Sequence, residues 1–186
     1  MEEKRLVLFE HIVSLEESPW LKESLELAWQ LPIKSEKARS ELIVTPILLE
    51  LKKRNSDFLT FYSGDTLIGD KENGLIGECD FIIARNTNSF SIEAPLLAVV
   101  EAKRNDVESG IAQCAAQMLG VQCFNEKHFH PLPIVFGCVT TGEIWLFLKL
   151  ENQLLIIDKN HYYFNNIHII LGILQNIINF YISLIK

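Results

Sequence analysis

The stretch Leu96-Leu-Ala-Val-Val-Glu-Ala-Lys-Arg104 constrains this chain most. Five apolar residues in succession read as a buried strand, and the run ends abruptly in charge. Residues two apart on a strand point to the same face, so Glu101 and Lys103 project together while Ala102 points to the other. An acid and an amine side by side at the end of such a strand form either a chemical site or an ion pair at a rim.

Similar extended segments precede it. "FLTFYSGDTLI" and "GLIGECDFIIAR" carry a period-two pattern between Gly, Asn and Asp clusters, which predicts a meander of three strands from Phe58 to about Arg104. Two helices come before them. Ser14-Leu-Glu-Glu17 has the form of a capping box and predicts a helix over about 15–30, ending near Pro32. Ser35 is the expected N-cap of the second, with Ala38, Leu42, Thr45 and Leu49 facing inward and a kink at Pro46. "DVESGIAQCAAQMLGVQCFNEKH" reads as a helix lying close on the sheet through Ala112, Ala115 and Ala116. "LPIVFGCVTTGEIWLFLKLENQLLIID" supplies two or three further strands, with a hairpin at Thr141-Gly142. The order predicts one α/β (α+β mixed) domain over 1–186, a central mixed sheet flanked by helices, with extra helices at both ends.

A packing helix is expected over 166–186. His168, Gly172, Gln175, Asn176, Asn179 and Ser183 recur at steps of three and four, drawing a polar stripe down an otherwise apolar segment. That argues for a packed amphipathic helix and against a membrane span, and its surplus apolar width suggests a homodimer. The N-terminus is too charged for a signal peptide. Four cysteines without CxxC spacing are expected as reduced, buried thiols in a cytoplasmic protein.

With 48% hydrophobic and 22% charged residues the 186-residue chain has ordinary globular composition. Its formal net charge of -7 excludes a global positive field, so a polyanion would have to be met locally. Lys52, Lys53, Arg54, Arg85 and Arg104 are the cations available for this, and DNA binding by the isolated chain is expected to be weak. Specificity would come from a protein partner or from DNA structure. The chain has no H-E-x-x-H, G-x-S-x-G, P-loop or G-x-G-x-x-G pattern.

Asp80 lies at the edge of the strand preceding Glu101. If the two strands pair, both carboxylates approach closely enough to share one cation, and hard oxygen ligands favour Mg²⁺ or Mn²⁺. Lys103 would add positive charge beside a bound water or phosphate. Such a set suits phosphodiester cleavage, with the amine steadying developing charge.

Asp80, then Glu101-Ala102-Lys103 at the end of an apolar strand, then a glutamine-bearing helix, resembles the PD-(D/E)XK nuclease superfamily, the restriction-endonuclease-like fold. "SEKARSELIVTPILLEL" resembles the first helix of the nuclease domains in type I restriction enzyme motor subunits. The resemblance covers about 35–150. It implies Mg²⁺-dependent hydrolysis of DNA, with Asp80, Glu101 and the carbonyl of Ala102 as metal ligands. Glu41 is chosen for the glutamate that members carry on the preceding helix, with Glu36 in reserve. Gln113 matches the glutamine that reaches back toward the site, and Gln117 shares its face. Cys79 stands where the family's name has proline.

Overall fold

The computed structural model describes residues 1–185. The protein is mixed α/β, an eight-stranded mixed sheet flanked by helices. The strands are β1 (Glu2–Leu6), β2 (Leu59–Asp70), β3 (Leu75–Arg85), β4 (Leu96–Ala102), β5 (Ile134–Thr140), β6 (Ile144–Glu151), β7 (Leu154–Asp158) and β8 (Tyr162–Tyr163). They lie in the order β1-β7-β6-β5-β4-β3-β2, with β8 added beside β6. The expected meander is β2, β3 and β4, all antiparallel. β4 and β5 are parallel and joined by helix α4 (Ile111–Lys127), the right length of connection for a parallel pair. The fully buried β4 is thus central in the sheet, as its unbroken apolar run requires.

Two cores lie on opposite faces of the sheet. One contains α1 (Pro19–Ala28), α3 (Thr45–Arg54) and α5 (Ile167–Leu184), and the other is closed by α4. Helix α5 is the expected C-terminal packing helix, with Lys186 outside the described residues. It is long and apolar enough to cross a membrane, yet half of its apolar window is buried here. Tyr181 at its end donates to the carbonyl of Ile134 at 3.0 Å and to that of Leu97. Residues 12–15 lie along it, with Leu15 N–H donating to His168 O at 2.9 Å. A Cβ on Gly172 would stand 2.3 Å from the Val13 carbonyl, so a glycine is needed in the stripe for this approach.

Three local expectations are corrected. Helix α1 is capped by Ser18, whose hydroxyl accepts from Leu21 N–H, so Ser14 to Glu17 forms no capping box. Pro19 occupies the first turn, where its missing N–H costs nothing. The second helix does begin at Ser35, as α2 (Glu36–Arg39), but a π-turn over Ser40–Val44 joins it to α3. Pro46 has no N–H to give, and the wider turn, with Thr45 Oγ1 donating to Ser40 O at 2.9 Å, accommodates its ring. The buried row is Ile43, Val44, Ile47, Leu48 and Leu51, while Leu49 and Glu41 face solvent. Strands β1 and β8 were not foreseen, because β1 is exposed throughout and β8 has only two residues.

The hairpin of β2 and β3 is bent where it matters for the site. Before the bend Phe61, Phe81 and Ile83 pack on the α3–α5 side, and beyond it Leu67 and Cys79 pack on the α4 side. The exchange of faces falls at Gly64, whose φ of 71° suits a residue without a Cβ, across the ladder from Asp80. The far half of the hairpin then hooks over α4, so close that a Cβ on Gly69 would lie 2.5 Å from Gly120 Cα.

Candidate functional site

Helix α4 holds both ends of β4. At the start of the strand the buried side chain of Asn125 accepts from Leu96 N–H at 2.8 Å and donates to Leu96 O at 2.7 Å, behaving as a strand partner would. At the other end Gln117 Nε2 donates to Glu101 Oε2 at 2.7 Å. Lys103 Nζ donates to Glu101 Oε1 at 2.6 Å and to Gln113 Oε1 at 3.0 Å. The strand-face argument thus places Glu101 and Lys103 together on the α4 side. Gly110, just before α4, makes room for the lysine stem, since a Cβ there would stand 3.0 Å from Lys103 Cγ and 2.5 Å from Val139 Cγ1.

Asp80 joins them because the β3–β4 ladder stops at Phe81 and Val100. Past that pair the Asp80 side chain replaces backbone pairing, its Oδ2 accepting from Ala102 N–H at 2.8 Å. The next amide, Lys103 N–H, turns to Thr140 O on β5 at 2.7 Å. Asp80, Glu101, Lys103 and Gln113 therefore gather at the splayed end of two neighbouring strands. Gln117 is a full member, although the family resemblance favoured Gln113 for the role and spacing placed both on one face. Only the packing of α4 on β4 shows that each glutamine holds a different partner.

Glu41 does not belong to this cluster. Its side chain is 61% exposed and lies 3.7 Å from Lys37 Nζ, one turn away on the outer face. Phasing the helix on Ala38 and Thr45 turned it inward, whereas the aliphatic row from Ile43 to Leu51 sets the true buried face. Glu36, at the first position of α2, is the acid that reaches the site electrostatically, and its charge bears on both Asp80 and Lys103. Helix α2 is anchored there by Arg39, whose Nη1 donates to Thr141 O at 2.7 Å and to Glu143 Oε1 at 2.9 Å, on the turn between β5 and β6. Of the expected basic contacts, Arg54 is used structurally against the buried Glu50, at 2.9 Å, and Lys52 donates to Ser56 O.

Burial dominates the electrostatics. It pushes the Glu101 carboxyl above its ordinary range, opposed by the hydrogen bond from Lys103 and reinforced by the charge of Asp80. Asp80 is likewise pushed up by burial, with its bond from Ala102 N–H opposing and the charge of Glu36 adding. Burial would lower Lys103, but its bond to Glu101 and the charges of Glu101, Glu36 and Asp80 outweigh this and raise it. The ammonium is therefore firmly charged at neutral pH. Buried Cys79, beside the acids, is pushed up to about 12, so it is an inert thiol there.

Among the described residues no three His, Cys, Asp or Glu side chains are grouped as a ready metal cage. Mg²⁺, however, is commonly held by one or two carboxylates together with water and substrate phosphates. The buried Glu101 and half-buried Asp80 carboxylates, both of raised pKa, fit such a partial donor set, and one Asp80 oxygen receives no hydrogen bond among the described residues.

The fold and site together define an α/β protein with an acid–acid–ammonium cluster at the open end of a central strand pair. Comparison with protein-family models, with curated proteins and with solved structures finds no match.

Proposed function

We propose that this chain is a nuclease domain of the PD-(D/E)XK type that hydrolyses DNA phosphodiester bonds with Mg²⁺ or Mn²⁺. The observation carrying this reading is the convergence of Asp80, Glu101 and Lys103 where the β3–β4 ladder opens. Asp80 and Glu101, with the carbonyl of Ala102, would hold the ion, which when bound would polarise the phosphoryl oxygens and make its water acidic.

The chain's own groups divide the remaining work. Lys103, kept charged by the acids around it, would meet a phosphate oxygen and the charge developing on it, a contribution of the oxyanion-stabilising kind. In this state it is an electrostatic partner and no proton acceptor. Gln117 fixes the orientation of Glu101, and Gln113 that of Lys103. Asp80 is aimed by the Ala102 amide.

Cleavage of plasmid and linear DNA in Mg²⁺ or Mn²⁺, by the whole chain and by Asp80→Ala, Glu101→Ala and Lys103→Ala, tests the proposal. Each substitution is expected to lower the rate at least a hundredfold. Activity surviving all three would remove this reading.

A second reading is a nuclease-fold module that binds without cutting. It is favoured by the closed Glu101–Lys103 pair at 2.6 Å, in which both glutamate oxygens are already engaged, and by the net charge of -7. Calorimetry with Mn²⁺ separates the two, because the non-cutting module is expected to bind no ion.

A further inference from the structure

We propose that Arg39 is a positioning residue of the acidic cluster, fastening helix α2 to the turn between β5 and β6 and so setting where Glu36 stands relative to Asp80 and Lys103. This deepens the metal-site reading and rests on it for the role of the acids.

Helix α2 has little to hold it by itself. None of its four residues, Glu36–Arg39, is buried, and its one turn is closed by Ser35, whose hydroxyl accepts from Ala38 N–H at 3.0 Å. Its one long side chain that is mostly covered belongs to Arg39, 15% exposed against 82% for Lys37. Nη1 of that guanidinium donates to Thr141 O at 2.7 Å and to Glu143 Oε1 at 2.9 Å. Its Nε is buried without a partner among the described residues. A buried donor left unpaired lowers stability, so strength of attachment alone does not account for an arginine here.

The turn that receives Arg39 also carries the other side of the site. Thr140 O accepts from Lys103 N–H at 2.7 Å, and the next carbonyl, Thr141 O, accepts from Arg39. Two successive carbonyls thus tie the strand end bearing the ammonium and the helix bearing Glu36 to one frame. That frame is well braced. Thr140 Oγ1 accepts from Gly142 N–H and donates to Ile144 O, both at 2.8 Å, and Trp145 Nε1 donates to Gly142 O at 3.1 Å. Ile43 of the π-turn rests on it as well, since a Cβ on Gly142 would stand 3.0 Å from Ile43 Cδ1. From this anchorage α2 approaches the end of β4, and the charge of Glu36 bears on Asp80 and Lys103. Charge interactions fall with distance, so releasing α2 would weaken that influence without disturbing the core.

Arg39→Gln and Glu36→Gln, singly and together, give the test, because residues that act through one another fail to add where independent ones add. Proton NMR of a lysine-labelled, metal-free sample reads the Lys103 resonances, and calorimetry reads Mn²⁺ affinity. Arg39→Gln is expected to move the Lys103 resonances in the same direction as Glu36→Gln and to weaken Mn²⁺ binding by a similar factor. The double variant is expected to bind no more weakly than Glu36→Gln alone. In DNA cleavage the change should fall on the Mn²⁺ concentration needed for half the maximal rate, severalfold, more than on the maximal rate. A purely structural attachment would lower the unfolding midpoint and leave the Lys103 resonances in place.

Lys103 resonances unmoved by either variant, or effects that add in full in the double variant, would overturn the proposal. If Arg39→Gln fails to fold, Arg39→Lys, which keeps a donor for Thr141 O, carries the same cycle with a smaller effect of the same sign. A cycle that holds on Lys103 in a chain that binds no Mn²⁺ would end the metal-site reading and leave the positioning role. Mn²⁺-dependent cleavage with full additivity would do the reverse.

Discussion

Gln117 on α4 donates to Glu101 on β4 at 2.7 Å, so the acid's orientation is set by a helix packed across the strand. Removing that donor leaves a buried carboxylate oxygen unsatisfied. Gln117→Leu is expected to cost about 1–3 kcal/mol in urea unfolding, the usual penalty for a stranded buried acceptor. It should also push the Glu101 carboxyl further up, because the amide bond is one of the influences holding it down. Gln117→Glu is expected to be worse at neutral pH and to recover as the solution is acidified.

Asp80 gives the chain a pH-dependent stability of definite sign. Its folded-state pKa is raised above the ordinary 3.8, so between those values the folded protein binds more protons than the unfolded one, and stability falls as pH rises. Asp80→Asn keeps an acceptor for the Ala102 amide and removes the charge. With divalent ions chelated, its melting temperature is expected to match the unaltered chain below pH 3.8 and to exceed it increasingly as pH rises through the raised value. No divergence between the two melting profiles would contradict the picture of a partly desolvated acid.

Glu36 and Glu41 sit five residues apart and should behave differently. Glu36→Gln removes a charge that acts on Asp80 and Lys103, and is expected to weaken Mn²⁺ binding measured by calorimetry severalfold. Glu41→Gln removes only an exposed partner of Lys37 and is expected to change it less than twofold.

Gly110→Ala would force a methyl group against Val139 and the Lys103 stem. Overpacking of this kind costs about 1–3 kcal/mol. Chemical denaturation should show that loss, and proton NMR of a lysine-labelled sample should show the Lys103 resonances shifted.

Asn125→Ala strips the amide that pairs with both backbone groups of Leu96. The expected loss is roughly 2–4 kcal/mol, since two buried backbone groups are left without partners. Hydrogen exchange at Leu96 should accelerate.

Local patterning carried the order of the main elements, the burial of β4 and the shared face of Glu101 and Lys103, because these follow from strand period and apolar run length alone. The N-cap at Ser35 was legible for the same reason, being a contact three residues long. The phase of the α2–α3 helix was not. A π-turn ahead of Pro46 and the competing rows of aliphatic residues decide which side is buried, and Glu41 was misplaced with it. Strand β1 carries no local signature, because its five residues are all exposed and it owes its place to parallel pairing with β7, more than a hundred residues on.

By itself the sequence determined an α/β chain with an acid and an amine on one face of a buried strand, since neighbours along the backbone obey a fixed geometry. Tertiary structure alone decided that Asp80 would reach the end of that strand, that two glutamines would divide Glu101 and Lys103 between them, and that Arg39 would meet the turn that holds Lys103. Those relations depend on where one ladder ends, where a hairpin bends at Gly64 and how closely α4 approaches, and such distances between remote segments have no local signature.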